Sequence, residues 1–310
     1  MELAAAIGAA LLLDAAFGEP PAPLHPVVWL GALAGVAERR VPCHPAGQFG
    51  YGLGLAATLP AAAALAGAVV ELGLRRLPPA ARVVARGAAL KPAFALRALL
   101  VAGRAVECSL TDGDLAGART ALRSLVSRDT AGLDEGLIAA AAIESLAENL
   151  TDSVIAPLWA FALFGLPGAY TYRAINTLDS MIGYRGRYEW LGKAAARLDD
   201  IVNLIPARAT AMLLAGAAPI AGASAAGALQ ALRRDHRLTA SPNAGWSMAA
   251  AAGALGVRLE KREHYVLNAD APTPRAADIA RARRLVGTAA AAGALACAWL
   301  AVAAARMRTR

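Results

Sequence analysis

Long stretches of the chain lack charge. Residues 153–172, 209–232 and 285–305 contain no Asp, Glu, Lys or Arg, and 51–74 contains only Glu71. A helix needs roughly 20 apolar residues to cross a bilayer core, so all four runs are long enough to span. The run 209–232 carries Pro219 and Gly222 near its middle, which predicts paired half-helices returning to one side. Residues 3–13 are apolar but too short to span comfortably, and predict an interfacial or re-entrant helix ending at Asp14. No basic segment precedes them and no small-residue cleavage site follows, so they do not read as a signal peptide. Further on, Thr111-Asp-Gly-Asp114 predicts a helix start with acidic residues in its first turn. Leu115, Ala118, Leu122 and Leu125 then recur at three- and four-residue steps as one apolar stripe of an amphipathic helix.

Composition agrees with this pattern. The 310-residue chain is 57% hydrophobic and only 17% charged, where a soluble domain carries about 25% charged residues. The predicted fold is all-α: a polytopic integral membrane helical protein with amphipathic and re-entrant helices and cytosolic helical insertions. Residues 1–310 are expected to form a single membrane-embedded domain, with 75–135 as its clearest cytosolic insertion. The net charge of +8 belongs mainly to loops. Arg75, Arg76, Arg82, Arg86, Lys91, Arg97 and Arg104 follow the first long run, which predicts a cytoplasmic side there. Anionic lipid and phosphorylated substrates explain these cations better than nucleic acid, because no aromatic platform accompanies them. Cys43, Cys108 and Cys297 share no metal or redox spacing. The four histidines lie outside the long runs, which counts against a haem held between membrane helices.

Three polar clusters stand beside this apolar helix. In the first, Glu144, Glu148 and Asp152 are spaced i, i+4, i+8, with Asn149 between them, and fall along one helical face. Like charges at that spacing repel, and ionisable residues near a bilayer are functional by default. In the second, Arg173, Asn176 and Asp179 are three residues apart. In the third, Asp199 and Asp200 each pair in register with Asn203, while Lys193 and Arg208 flank them. Carboxylates with amide oxygens are hard ligands suited to Mg²⁺, which usually arrives with phosphates, and Arg or Lys supplies charge-assisted bonds to those phosphates. The three clusters together predict a Mg-nucleotide site at the membrane–cytosol boundary. Two further polar islands are weaker substrate-site candidates: Asp14, Glu19 and His25 in a proline-stiffened loop, and Ser241 with Asn243 in Ser241-Pro-Asn-Ala-Gly-Trp246. No P-loop, nucleophile-elbow or H-E-x-x-H motif occurs.

Taken in order, these islands resemble the adenosylcobinamide-phosphate synthase (CobD/CbiB) family of cobalamin biosynthesis. The resemblance runs through Phe17-Gly-Glu-Pro20, Leu24-His-Pro-Val-Val-Trp-Leu-Gly31, Val126-Ser-Arg-Asp-Thr130, the Ile143–Pro157 stretch, the Tyr172–Arg185 cluster, Leu198–Arg208 and Ser241–Trp246. Two departures are visible. Glu19 stands where the family commonly has Asp, and Glu260-Lys-Arg-Glu-His-Tyr265 replaces a usually glycine-rich stretch, so no ligand role is expected of that segment.

The resemblance implies an ATP- and Mg²⁺-dependent amide ligase joining (adenosyl)cobyric acid to (R)-1-aminopropan-2-ol or its O-phosphate. It also implies a multi-pass protein of the cytoplasmic membrane with its site facing the cytoplasm, working as a homo-oligomer or with other cobalamin-biosynthesis enzymes. Under it, Glu148, Glu144 and Asp152 are the expected catalytic carboxylates, with Glu148 as base. Arg173, Arg185, Lys193 and Arg208 would take phosphates, and Asn149, Asn176 and Asn203 would complete coordination or bind corrin amides. Asp179, Asp199 and Asp200 would hold metal. The competing expectations are a membrane prenyl- or alcohol-phosphate transferase, faintly echoed by Asp199-Asp-Ile-Val-Asn203, a membrane sensor or accessory protein of similar fold, and a transporter.

Overall fold

The computed structural model describes residues 1–184, 186 and 188–308. The helices in chain order begin with α1 (Glu2–Phe17), α2 (Pro26–Glu38), α3 (Pro45–Leu74), α4 (Pro79–Leu90), α5 (Leu96–Thr111) and α6 (Leu115–Leu122). They continue with α7 (Glu135–Leu150), α8 (Ala156–Ile182), α9 (Lys193–Val202), α10 (Leu204–Ala217), α11 (Ala225–Asp235), α12 (Ala244–Leu255) and α13 (Ala276–Arg308). A π-helical turn, Thr151–Ile155, joins α7 to α8. Two short strands, β1 (Leu259–Lys261) and β2 (Tyr265–Leu267), pair antiparallel. The protein is thus an all-α membrane protein with one added hairpin.

Among the described residues, three helices are long and apolar enough to cross a membrane: Pro45–Leu74, Glu135–Ile182 and Ala276–Met307. The fourth uncharged run, 209–232, is the expected hairpin. The first half-helix ends at Ala217, a turn with Gly222 at φ 72° reverses the chain, and α11 packs back on α10. Ser224 caps α11 by accepting from the Gly227 amide at 3.0 Å.

The chain divides into two compact units. The first comprises residues 1–95, 156–203 and 294–310; the second comprises 96–155 and 204–293. The segment 75–135 contributes to both units. Its first part, α4, packs on α1 in the first unit, where the buried Lys91 ammonium pairs with Asp14 at 3.1 Å and Glu19 at 2.7 Å. From Leu96 onward it belongs to the second unit. There Asp114 does start a helix, its Oδ1 accepting from the Gly117 amide at 2.8 Å, and Ala118 and Leu122 are fully buried as the stripe predicts.

In the first unit, α8 breaks at Gly165 (φ 70°, ψ −155°), a conformation essentially reserved to glycine. The Leu166 amide, freed by the break, donates to Glu71 Oε1 at 3.3 Å, and Glu71 is in turn held by Arg86 at 2.7 Å. The charge in the run 51–74 therefore caps a broken helix. In the second unit, α7 is buried nearly all round, packing against α5, α6, α12 and β1. The small residues Ala139–Ala142 let these neighbours approach closely. Ile138, Ile143, Leu146 and Leu150 are completely buried, each burial contributing roughly 1.5–3 kcal/mol relative to exposure to water.

Candidate functional site

The polar cavity of the second unit forms where a loop and the β-hairpin meet α7. After α6, the loop 126–130 is stapled in place. The Ser145 hydroxyl of α7 donates to the Leu125 carbonyl at 2.7 Å, and Thr130 Oγ1 donates to the Arg119 carbonyl at 3.1 Å. Arg119 reaches the Leu133 carbonyl through Nε and Nη2 at 3.0 and 2.8 Å, and Asp129 Oδ1 accepts from the Ala131 amide at 3.0 Å. This fixed loop presents Arg128, whose Nη2 donates to Glu144 Oε2 at 3.1 Å.

The hairpin supplies the other wall. Lys261 stands directly opposite Tyr265 in the register, and Leu259 opposite Leu267. Directly paired residues share one face of an antiparallel ladder, and residues two apart along a strand share it too. The fully buried Leu259 and Leu267 anchor that face in the core, and Lys261 with Tyr265 continue it over α7. Their neighbours face elsewhere: Glu260 pairs with Arg258 at 2.6 Å, and Arg262 with Asp134 at 3.2 Å.

The result is a cavity of about 150 Å³ lined by Ser127, Arg128, Glu144, Ser145, Glu148, Lys261 and Tyr265, with Leu125, Val126 and Ala141 beneath. Glu144 is only 5% exposed, and its Oε1 is buried with no partner at hydrogen-bond geometry. Burial, then the charges of Glu144 and Glu148, hold the Tyr265 phenol above its usual range, so Tyr265 remains a protonated donor.

Of the three carboxylates expected on one face, Glu144 and Glu148 line this cavity and Asp152 does not. Eight residues of α-helix already drift by roughly 80°, and Asp152 sits in the π-helical turn, which widens the spiral further. Asn149 is spent along its own helix, donating to the Ser145 carbonyl at 3.0 Å and accepting from Ser153 at 3.2 Å. Lys261 and Tyr265, in the segment expected to have no ligand role, also line the cavity, a placement the sequence reading did not foresee. Ser127 and Arg128 lie in a stretch that carries the family resemblance, but the sequence alone assigns them no role.

The other two clusters converge in the first unit. Asp199 accepts from Asn203 Nδ2 at 2.9 Å and from Asn176 Nδ2 at 3.5 Å. The Tyr172 hydroxyl donates to Asn203 Oδ1 at 2.9 Å, and Arg173 Nη1 to Asn176 Oδ1 at 3.3 Å. Both amides thus turn their N–H groups toward Asp199. Burial raises the Asp199 carboxyl above its ordinary range, opposed by these two amide bonds, with the Asp200 charge adding to the rise; Asp200 is raised by its own burial.

Among the described residues, no three His, Cys, Asp or Glu groups stand together as a metal cage, so Asp179, Asp199 and Asp200 do not form one. Asp179 lies in the last turn of α8, its Oδ1 folded back beside Gly183. Mg²⁺ commonly keeps several waters and takes one or two carboxylates plus substrate phosphates. The half-buried Asp199, oriented by two amides, fits that pattern together with the adjacent Asp200. Asn176 and Asn203 orient the carboxylate here, their amide oxygens accepting from Arg173 and Tyr172.

The remaining expected residues are placed as follows. Lys193 Nζ lies over the Trp190 ring at 4.9 Å, and Arg208 stacks on Trp246 at 4.6 Å while its Nη1 reaches Asn243 Oδ1 at 3.3 Å. Ser241 Oγ accepts from the amides of Asn243 and Ala244, forming the turn into α12. His25 Nε2 meets Glu19 at 2.9 Å while its Nδ1 caps α2, which ties His25, Glu19, Lys91 and Asp14 into one network. Arg185 lies outside the described residues.

Comparison with known proteins adds an independent finding. The family described as CobD/Cbib protein matches residues 7–305. Cobalamin biosynthesis protein CobD of Dehalococcoides mccartyi (strain CBDB1) is 42% identical over 262 residues, 84% of this chain and 85% of that protein. The protein of the same name from Rhodobacter capsulatus is 42% identical over 294 residues, covering 91% of this chain and 92% of its own length. No solved structure shows a significant match.

Proposed function

We propose that this chain, which belongs to the CobD/CbiB family, acts in cobalamin biosynthesis as an ATP-dependent amide ligase. It would join the free carboxylate of (adenosyl)cobyric acid to (R)-1-aminopropan-2-ol or its O-phosphate, at the cytoplasmic membrane with the site facing the cytoplasm. The observation that carries this reading is the cavity in which Glu144 and Glu148 stand against Arg128 and Lys261. An amine substrate arrives as an ammonium ion and needs a carboxylate both to bind it and to take its proton.

The reaction balances in two steps. The corrin carboxylate attacks the terminal phosphorus of ATP, forming an acyl phosphate and releasing ADP. Glu148 then accepts a proton from the ammonium, the free amine attacks the acyl carbon, and phosphate leaves. Glu144, neutralised in part by Arg128, holds the ammonium before that transfer. Asp199 and Asp200 would hold Mg²⁺, which when bound neutralises phosphate charge. Arg173 and Lys193 of the same unit would take phosphate oxygens.

Purified protein incubated with Mg-ATP, cobyric acid and each amine should yield ADP and a corrinoid of the mass expected for the amide. Glu148→Gln should abolish product while the fold survives. Near-normal turnover in that variant removes Glu148 from the mechanism, and absence of amide with either amine in the parent protein removes the ligase reading.

A further inference from the structure

Three polar atoms on the cavity of the second unit lack hydrogen-bond partners among the described residues. Glu144 Oε1 and Arg128 Nε are buried without a partner at hydrogen-bond geometry, although the Tyr265 phenol stands beside Glu144. The Lys261 ammonium makes no hydrogen bond or ion pair among the described residues, although its charge is felt at Glu144. A buried polar group left unsatisfied is costly, so a cavity lined by such groups specifies what it takes by complementarity. One acceptor asks for a cationic donor, and two cationic donors ask for an anion. A neutral-tailed amino alcohol answers only the acceptor. A short amine that also carries a phosphate answers all three. The small volume, about 150 Å³, suits a compact zwitterion.

Lys261 is placed for this by backbone register alone. Its strand neighbours are turned outward and paired there, so the hairpin delivers one cation from a run of charged residues.

We propose that Lys261 is a specificity-determining residue that, with Arg128, selects the phosphorylated form of the amine, while Glu144 and Glu148 take its ammonium group. This rests on the amide-ligase reading for the reaction, though the ligand site itself can be tested by binding alone. Lys261 is half-exposed, so its replacement leaves the core intact.

The test uses the purified full-length protein in detergent with two readouts. Calorimetric titration with aminopropanol O-phosphate and with aminopropanol, without ATP or corrinoid, measures the site. Amide formation with each amine, cobyric acid and Mg-ATP measures the reaction. Lys261→Met is expected to weaken binding of the phosphorylated amine, and kcat/KM with it, by about tenfold to a hundredfold, the range for one charge-assisted bond. The unphosphorylated amine should change by less than about threefold, and Lys261→Arg should recover most of the loss. Equal losses for both amines in Lys261→Met, or a parent protein that binds both equally, would overturn the proposal. Selective loss of phosphorylated-amine binding in a protein that forms no amide would uphold the site and defeat the ligase reading. Amide formation from both amines, unaltered in Lys261→Met, would do the reverse.

Discussion

Arg128→Met isolates what the buried ion pair contributes, apart from any chemistry. The Glu144 side chain is 7% exposed and that of Arg128 is 22% exposed, with 3.1 Å between Nη2 and Oε2. Removing one member of a buried pair costs roughly 3–5 kcal/mol, because the remaining charge is left without compensation. Arg128 keeps some contact with water and Lys261 supplies a second cation nearby, so the expected loss falls below that range, at about 2–3 kcal/mol. Methionine fills much of the arginine stem, which keeps the loss of packing small. At roughly 2–4 °C per kcal/mol for a chain of this class, the melting temperature should fall by about 5–10 °C. The assay is thermal unfolding of purified protein in one detergent at about pH 7.5. Arg197→Met is the control, since Arg197 is 75% exposed and stands 3.7 Å from Asp200; exposed pairs contribute about 0–1 kcal/mol. Adding Glu144→Gln to Arg128→Met should recover most of the loss, because a neutral amide has far less desolvation to offset. If Arg128→Met shifts the melting temperature no more than Arg197→Met, or if Glu144→Gln recovers nothing, the pair does not act as a buried electrostatic unit.

Three further outcomes are expected. The raised Asp199 carboxyl favours the protonated form in the folded protein, so the stability linked to it is complete below the ordinary Asp value near 3.9 and is lost as pH rises through the raised one. Mg²⁺ binding needs the ionised form, so the thermal shift produced by Mg-ATP should be larger at about pH 7.5 than at about pH 5; equal shifts would detach Asp199 from the metal. Asp199→Leu should remove that shift at both values while leaving phosphorylated-amine binding in the second unit intact, and calorimetry of both ligands separates the two. Gly165→Ala should destabilise by about 1–3 kcal/mol, because φ is 70° and a Cβ would sit 3.1 Å from Glu71 Oε1. Gly216→Ala, which meets nothing within 4 Å inside a helix, should be neutral or slightly stabilising by comparison in the same melting assay.

What could be read in advance follows the range of the interaction involved. The uncharged runs, the hairpin at Pro219 and Gly222 and the cap at Asp114 depend on residues a few positions apart, and all three were legible. The drift from Glu144 to Asp152 was calculable, but the π-helical turn that carries Asp152 off the face leaves no period in a sequence of five residues, Thr151–Ile155. The role of Glu71 was invisible for a different reason: its partners, Arg86 and the Leu166 amide, are brought to it only by packing.

Lys261 and Tyr265 make the same point at the cavity. Each strand of their hairpin is three residues long, too short for a two-residue period to register against a background of charge. Only the mirrored order of Leu259, Lys261, Tyr265 and Leu267 about the turn at 262–264 hints at a paired face. Once that pairing is known, the charge of the segment resolves into one inward cation and outward ion pairs. The two glutamates of α7 then cease to be an oddity of an apolar helix. They are half of a balanced set whose other half comes from the loop before α7 and from a hairpin far along the chain. A carboxylate buried this deeply is tolerable only because the fold brings Arg128 and Lys261 to it.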